Sequence, residues 1–257
     1  MKRIIYMLIL FMIFLGACEE KIDVYEGASG IYFDPTEAVL DTIVVPWGLK
    51  NSDIKTQNMN LRVCLLGDVA DYDRKFTIQV IADKQDTLSA VEGEDFRLLQ
   101  KEYAILAGKA DALVEIELLR ADDLIERPRR FTLRLEETLE LGFLYSRMQT
   151  LIDTAQVTSL RAIDYQRVIH MDERFQVPVW WSLYGENFFG KFSTKKAIFI
   201  CDQMRYDRED FVASFVESGL NEGKLRFAAR YLHEYLQEHP ELDEDGEPMT
   251  MGPDAQK

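Results

Sequence analysis

Through most of residues 30–137, apolar side chains recur at every second position, and no stretch there carries the 3.6-residue spacing of an amphipathic helix. Leu61, Val63 and Leu65 alternate with Arg62 and Cys64, and Phe76, Ile78 and Val80 with Thr77 and Gln79. Val114, Ile116 and Leu118 enclose Glu115 and Glu117, and Phe131, Leu133 and Leu135 enclose Thr132 and Arg134. A period of two places one apolar row on one face of a pleated strand, so each stretch needs a second layer to cover it. Gly30–Phe33, Asp41–Trp47 and Tyr103–Leu106 add three more β-rich stretches, set off by turn formers such as Asp34-Pro35 and Gly108-Lys109. Parallel strands would require crossover helices between them. The spacing therefore predicts an antiparallel, Ig-like sandwich over residues 30–137.

Beyond Glu137 the pattern changes, and residues 138–240 read as a smaller, mixed, α-rich part. Tyr165–His170 suits one more strand, and Phe175–Trp181 is aromatic and interrupted by Pro178. Ser193, Asp207 and Asn221 are each placed to cap a helix, the last one carrying a stripe of Leu225, Ala228, Ala229, Leu232 and Leu236 that stops before Pro240. Residues 241–257 are acidic, contain Gly and Pro, and predict a disordered tail.

At the amino end, Lys2 and Arg3 precede the apolar run Ile4–Leu15, which closes on Leu15-Gly16-Ala17-Cys18. The run is long enough for a signal segment and too short to span a bilayer, and small residues directly before a cysteine are those of a lipoprotein leader. Residues 1–17 are expected to be removed between Ala17 and Cys18, leaving Cys18 to carry diacylglycerol on its thiol and a fatty acyl chain such as palmitate on its amine. At about 0.8 kcal/mol per buried CH₂, those chains hold a protein on a membrane without a crossing segment. Residues 18–29, opening Glu19-Glu20-Lys21, would form the lipidated tether.

The chain has 45 acidic and 30 basic residues. Two of the basic ones, and no acids, fall in the leader, so the processed chain has a net charge of −17. Such a field repels phosphate backbones and argues against nucleic acid as a partner, while neutral glycans and basic protein faces stay open. With Cys18 acylated, Cys64 and Cys201 remain, both in apolar contexts, and spacing alone leaves open whether they pair.

Several segments in order resemble a bacterial lipoprotein family, domain of unknown function 4843. They are Gly30-Ile31-Tyr32-Phe33, Gly93-Glu94-Asp95-Phe96, Ile105-Leu106-Ala107-Gly108, Arg130-Phe131-Thr132-Leu133-Arg134-Leu135, Pro178-Val179-Trp180 and Phe189-Gly190-Lys191-Phe192-Ser193-Thr194-Lys195-Lys196. The resemblance covers nearly the whole processed chain and implies an outer-membrane lipoprotein associated with SusC- and SusD-like nutrient importers. It transfers no catalytic or binding residue. Glu19 and Glu20, directly after the cysteine, resemble export signals of surface-displayed lipoproteins, which implies outward display. The first half also resembles a Calx-β sandwich in Gly93-Glu94-Asp95-Phe96 and Asp122-Asp123-Leu124-Ile125-Glu126. That likeness implies calcium as a candidate ligand of Glu94, Asp95, Asp122, Asp123 and Glu126, since calcium takes six to eight oxygens. Arg127, Arg129 and Arg130 stand beside these acids and offer the competing arrangement, in which guanidiniums pair the carboxylates.

Motifs with catalytic mechanics are missing. There is no nucleophile elbow, phosphate loop or HExxH, and His170, His233 and His239 form no ligand spacing. The expected role is therefore non-catalytic: an accessory binding protein for glycan uptake, with a structural or protein-interaction lipoprotein as the alternative and an envelope hydrolase as a remote third. Trp180, Trp181 and Tyr184 are the candidate glycan-stacking residues, against the competing reading that they pack the junction between the two parts.

Overall fold

The computed structural model describes residues 27–38, 40–81, 86–144, 146–152, 158–213 and 219–256, with the side chains of 151–161 excepted. The leader 1–17, the acylation position Cys18 and the tether through Glu26 lie outside the described residues. The chain is a mostly β, two-sheet sandwich followed by a smaller α-rich part.

One sheet consists of β1 (Gly30–Phe33), β3 (Thr56–Leu66), β8 (Asp111–Leu119) and β6 (Phe96–Leu98), in the order β1-β3-β8-β6 and antiparallel throughout. The facing sheet has the order β2-β12-β9-β5, from β2 (Thr42–Pro46), β12 (Gln166–Asp172), β9 (Arg129–Leu135) and β5 (Ile78–Ile81). Its strands are antiparallel except for β12 and β2, which run parallel. Two ribbons flank the sandwich, β4 (Arg74–Phe76) with β7 (Tyr103–Ile105), and β10 (Met148–Ile152) with β11 (Thr158–Ala162).

The alternation in the sequence is the cause of this layering. Leu61 and Val63 on β3, Val114, Ile116 and Leu118 on β8, and Phe131, Leu133 and Leu135 on β9 are all buried, and their polar neighbours point outward. Phe96 of one sheet stacks on Phe131 of the other, with centroids 3.7 Å apart. The run from Phe76 to Val80 does not form one strand. It divides at Thr77, so that Phe76 pairs with Tyr103 in the small ribbon while Ile78 pairs with Leu135 in the main sheet.

Two domain boundaries differ from expectation. The sandwich does not end at Glu137, because β12 is an interior strand, hydrogen-bonded to β9 on one side and β2 on the other, and Ile169 and Met171 point into the core. The sandwich accordingly runs to Asp172, and the α-rich part begins there. Trp181–Gly185 forms one π-helical turn leading into α1 (Glu186–Phe189), followed by α2 (Thr194–Met204), α3 (Arg208–Val212) and α4 (Glu222–Glu238). Each predicted cap is made. Ser193 accepts from the Lys196 N–H at 3.0 Å, Asp207 from Asp210 at 3.0 Å and Asn221 from Lys224 at 3.1 Å. No described helix is long and apolar enough to cross a membrane.

The tail is the second correction, since residues 241–256 are packed, not disordered. Leu242 and Pro248 form a β-bridge, Met249 N–H donates to Glu241 O at 2.8 Å, and Gly252 N–H donates to Phe188 O at 2.8 Å. A Cβ on Gly252 would sit 2.4 Å from the Asn187 carbonyl oxygen, so only glycine allows this approach. Met249, Met251 and Ala255 enter the same core as the α4 stripe, and their burial outweighs the acidic composition around them. Cys64 and Cys201 are free thiols, the first half-buried on β3 and the second buried in the core of the helical part. Burial, with the Asp34 charge nearby, pushes the Cys64 thiol up to about 11, and burial raises Cys201 as well.

Met251→Ala should cost about 2–4 kcal/mol of stability, as removal of a buried methionine side chain does, and a chain ending at Pro240 should lose more. Chemical unfolding of both variants checks this, and a truncated chain as stable as the parent would show the tail to be dispensable.

Candidate functional site

The two parts meet around Glu173, the residue directly after β12. Arg120, at the end of β8, donates to both Glu173 carboxylate oxygens, with Nε at 3.1 Å from Oε2. Arg208 of α3 approaches Oε1 from the other side, with Nη1 at 3.4 Å. Both guanidiniums are buried, and apart from Arg208 Nε, which is buried without a hydrogen-bond partner, their nitrogens find oxygen. Arg120 donates to the carbonyls of Trp47, Lys50, Asn51 and Ile54 at 2.7–3.2 Å and lies 5.7 Å from the Trp47 ring centroid. Arg208 reaches the Gly48 carbonyl at 3.3 Å, the Ser52 hydroxyl and the Asp202 carboxylate. A Cβ on Gly48 would fall 2.3 Å from the Arg174 carbonyl oxygen, so the turn Trp47–Leu49 can lie directly on the residues that leave β12.

Above this joint lies an open cleft of about 830 Å³. One wall is the loop between β8 and β9, with Ile125, Glu126 and Pro128. The end of β12 supplies His170, Asp172 and Arg174, the start of α2 supplies Thr194 and Lys195, and the tail supplies Leu242, Asp243 and Glu244. Asp172 is buried and accepts from Arg174 Nε, with His170 Nε2 3.4 Å from it. The tail wall is tied to α2 through three contacts. Ser193 donates to Asp243, Lys196 Nζ lies 3.3 Å from the same carboxylate, and the Lys195 N–H donates to Glu244 at 2.8 Å. Burial alone would raise Asp243, but the Ser193, Glu244 N–H and Lys196 donors together hold it below the ordinary carboxylate range. Ile125 and Leu242 expose apolar surface across the cleft. A second depression of about 320 Å³, which includes Ile125, Glu126 and Lys195, continues it toward Lys55 and Ser52.

The residues singled out in the sequence are distributed differently. Trp180 and Trp181 are only 4% and 1% exposed, so they offer no surface to a glycan. Their indole N–H groups donate to Phe211 O at 3.0 Å and Gly190 O at 3.1 Å, and their rings pack against Phe189, Phe211 and, for Trp181, Phe192. Tyr184 is half-buried against the same cluster. The two tryptophans are core residues of the helical part, because a large ring with one N–H is best satisfied where apolar neighbours and a backbone acceptor coincide, and Tyr184 packs at the edge of that core.

The five acids proposed for calcium are also divided. Arg129 is buried and takes two of them, with Nε 3.3 Å from Asp95 and Nη2 2.7 Å from Asp123. Asp95 accepts the Val91 N–H as well, at 2.8 Å, and Asp122 pairs with Lys55 at 3.1 Å. Glu126 turns to the cleft and Glu94 is exposed. Among the described residues, no group of three or more His, Cys, Asp or Glu side chains is gathered to hold a metal. The Arg129 hydrogen bond holds Asp123 below its ordinary range, in the sense of a carboxylate already paired. Leu242 and Glu244, which shape the cleft, carried no signal in the sequence beyond charge and an isolated leucine, and Lys195 stood only within a segment of the family resemblance.

The helical part closes the sandwich at one end, and the cleft lies at the joint. This chain belongs to the family described as domain of unknown function (DUF4843), which matches residues 25–205. Among solved structures it is similar to a "putative carbohydrate binding protein" from Bacteroides ovatus, at 10% identity and TM-score 0.38, covering 58% of this chain and 38% of that one. It is also similar to CBD12 from CALX1.2, at 15% identity and TM-score 0.34, covering 55% and 43%, and to a Bacteroides ovatus protein of unknown function, at 16% identity and TM-score 0.34, covering 55% and 43%. The chain thus spans about two fifths of the length of these structures. No curated protein matches it.

Replacing Glu173 by Gln removes the carboxylate that two buried guanidiniums share, leaving Arg120 with backbone carbonyls alone and Arg208 with only the partly exposed Asp202 as countercharge. A loss of about 3–5 kcal/mol in urea unfolding is expected. A loss under about 1 kcal/mol would mean that the loop carbonyls, with Asp202 and Ser52, satisfy both arginines.

Proposed function

We propose that this chain is a non-catalytic binding lipoprotein of the outer membrane. It is held there by acyl chains on Cys18, displayed outward, and serves a SusC/SusD-like importer by retaining a glycan in the cleft at the joint. The observation that carries this reading is the cleft itself. Its volume of about 830 Å³ suits a ligand of a few sugar rings. Its lining alternates donors (Lys195, Arg174, His170) and acceptors (Glu126, Glu244) around the apolar Ile125, Pro128 and Leu242. Sugar hydroxyls both donate and accept, and the C–H faces of sugar rings match small apolar patches. A neutral glycan is also indifferent to the acid excess that repels anionic ligands. Asp172 and Glu173 are each engaged by arginine, an arrangement that supports a rigid wall more than a proton-transfer pair.

A glycan array probed with residues 22–257, which retain every described contact, tests the cleft. Ile125→Asp and Leu242→Asp each change an exposed side chain and should weaken a specific hit about tenfold or more without altering the melting curve. A clean blank from folded protein would turn the reading toward a basic protein partner, to be sought by co-purification from outer membranes. The anchor has its own test: metabolic labelling with a palmitate analogue should mark the full chain and leave Cys18→Ser unlabelled and released from the membrane fraction. Labelling of the variant would overturn the assignment.

A further inference from the structure

Helix α4 buries one face against the helical core and leaves the other uncovered, and that uncovered face is aromatic. Phe227 is 64% exposed and Tyr231 44% exposed, and with half-buried Tyr235 and exposed His239 they recur at every fourth residue. The rings form a continuous, near-parallel ladder, with centroids 6.5 Å apart for Phe227–Tyr231, 6.4 Å for Tyr231–Tyr235 and 4.5 Å for Tyr235–His239. Two large rings left in water on one short helix is an unfavourable arrangement for a free surface.

The charges beside the ladder are distributed along the helix by sign. Lys224, Arg226 and Arg230 occupy the first half, Glu234 and Glu238 the second, and the one acid in the first turn, Glu222, is paired with Arg226 at 2.8 Å. Arg230 and Glu234 are four residues apart, yet neither makes an ion pair among the described residues. A face that is basic at one end and acidic at the other, with rings between, complements a copy of itself turned end for end. In a two-fold pair every contact is made twice, so Arg230 of each chain can meet Glu234 of the other while the Tyr231 rings meet near the axis. The helix has three basic and three acidic side chains in a chain of net charge −15, so two copies joined along it avoid the repulsion that the acid excess imposes elsewhere.

We propose that a second copy of this chain is the occupant of the α4 face, forming an antiparallel, two-fold homodimer through Phe227, Tyr231, Arg230 and Glu234. At about 1.5 Å per residue the helix is roughly 26 Å long. One such face buries less than the standard interface area, so the association is weak and concentration-dependent. This interface stands apart from the cleft and does not depend on the glycan reading.

Sedimentation of residues 22–257 over a rising concentration series, with the same preparation on the glycan array, is the test. The parent should move from one chain to two, and Phe227→Ser with Tyr231→Ser should remain single with an unchanged melting curve. Arg230→Glu should weaken the pair about tenfold or more, Glu234→Arg likewise, and the double exchange should restore it, which a merely sticky apolar patch would not do. A parent that stays monomeric throughout, or a dimer indifferent to these exchanges, overturns the proposal. So does a monomer that loses glycan binding in the Phe227 and Tyr231 variant, because the ladder would then be a sugar platform. Failure of Ile125→Asp to affect glycan binding concerns the cleft alone.

Discussion

Glu173 lies between two buried guanidiniums that belong to opposite parts of the chain, Arg120 at the end of β8 and Arg208 on α3. It is the one carboxylate that Arg120 pairs with among the described residues, Arg208 shares it with Asp202, and neither arginine is satisfied by it alone. Arg120 also holds four carbonyls of the segment after β2, and Arg208 holds Gly48 O and Ser52. Desolvating these charges costs about as much as their attraction returns, so the arrangement contributes little net stability and a great deal of geometric definition. Its geometry depends on β12. That strand is fixed between β9 and β2, and its parallel register with β2, Asp172 opposite Pro46, brings the exit of one strand beside the exit of the other. The joint follows from the sheet, and the cleft follows from the joint.

Local rules carried far in this chain, and their limits have physical causes. Period-two alternation locates most of the sandwich strands, and three polar caps locate three helices, because both are set by residues within a few positions of each other. The break at Thr77 is not visible in the pattern, since Phe76 and Ile78 obey the same alternation while serving different sheets. The strand Gln166–Asp172 is visible, but its place in the middle of a sheet is not, because strand order is a long-range property. Met249 and Met251 were the only trace of order in the tail. Two methionines separated by one threonine are a weak signal within an acidic, Gly- and Pro-containing segment, and only a preformed core with space for them makes the segment pack.

The candidate site was less legible than the fold for the same reason. Residue type nominated Trp180, Trp181 and Tyr184, the Calx-β likeness nominated the acids at 94, 95, 122, 123 and 126, and each nomination had a structural competitor with the same residues. Trp180 resolves to the core because Phe211 offers both a ring, with centroids 5.0 Å away, and a backbone acceptor. Asp95 and Asp123 resolve to an arginine site because Arg129 projects from β9 into the space between their two loops. Charge-assisted pairing to a guanidinium built into the chain occupies the oxygens that an ion would need. What lines the cleft instead comes from four separated segments whose proximity no spacing rule could announce.

The tail links stability to the putting together of that cleft. Asp243 and Glu244 reach the cleft only because Met249 and Met251 fasten the segment beyond them, and Ser193 and Lys196 bind Asp243 where α2 begins. Ser193 thereby has two duties, accepting from the Lys196 N–H as a helix cap and donating its own proton to Asp243. A hydroxyl can do both at once, whereas an aspartate cap at the same position could only accept and would repel the Asp243 carboxylate. The choice of serine among the usual capping residues is thus explained by the tail, and the first turn of α2, with Thr194 and Lys195 facing the cleft, is positioned by a segment whose composition suggests no structure at all.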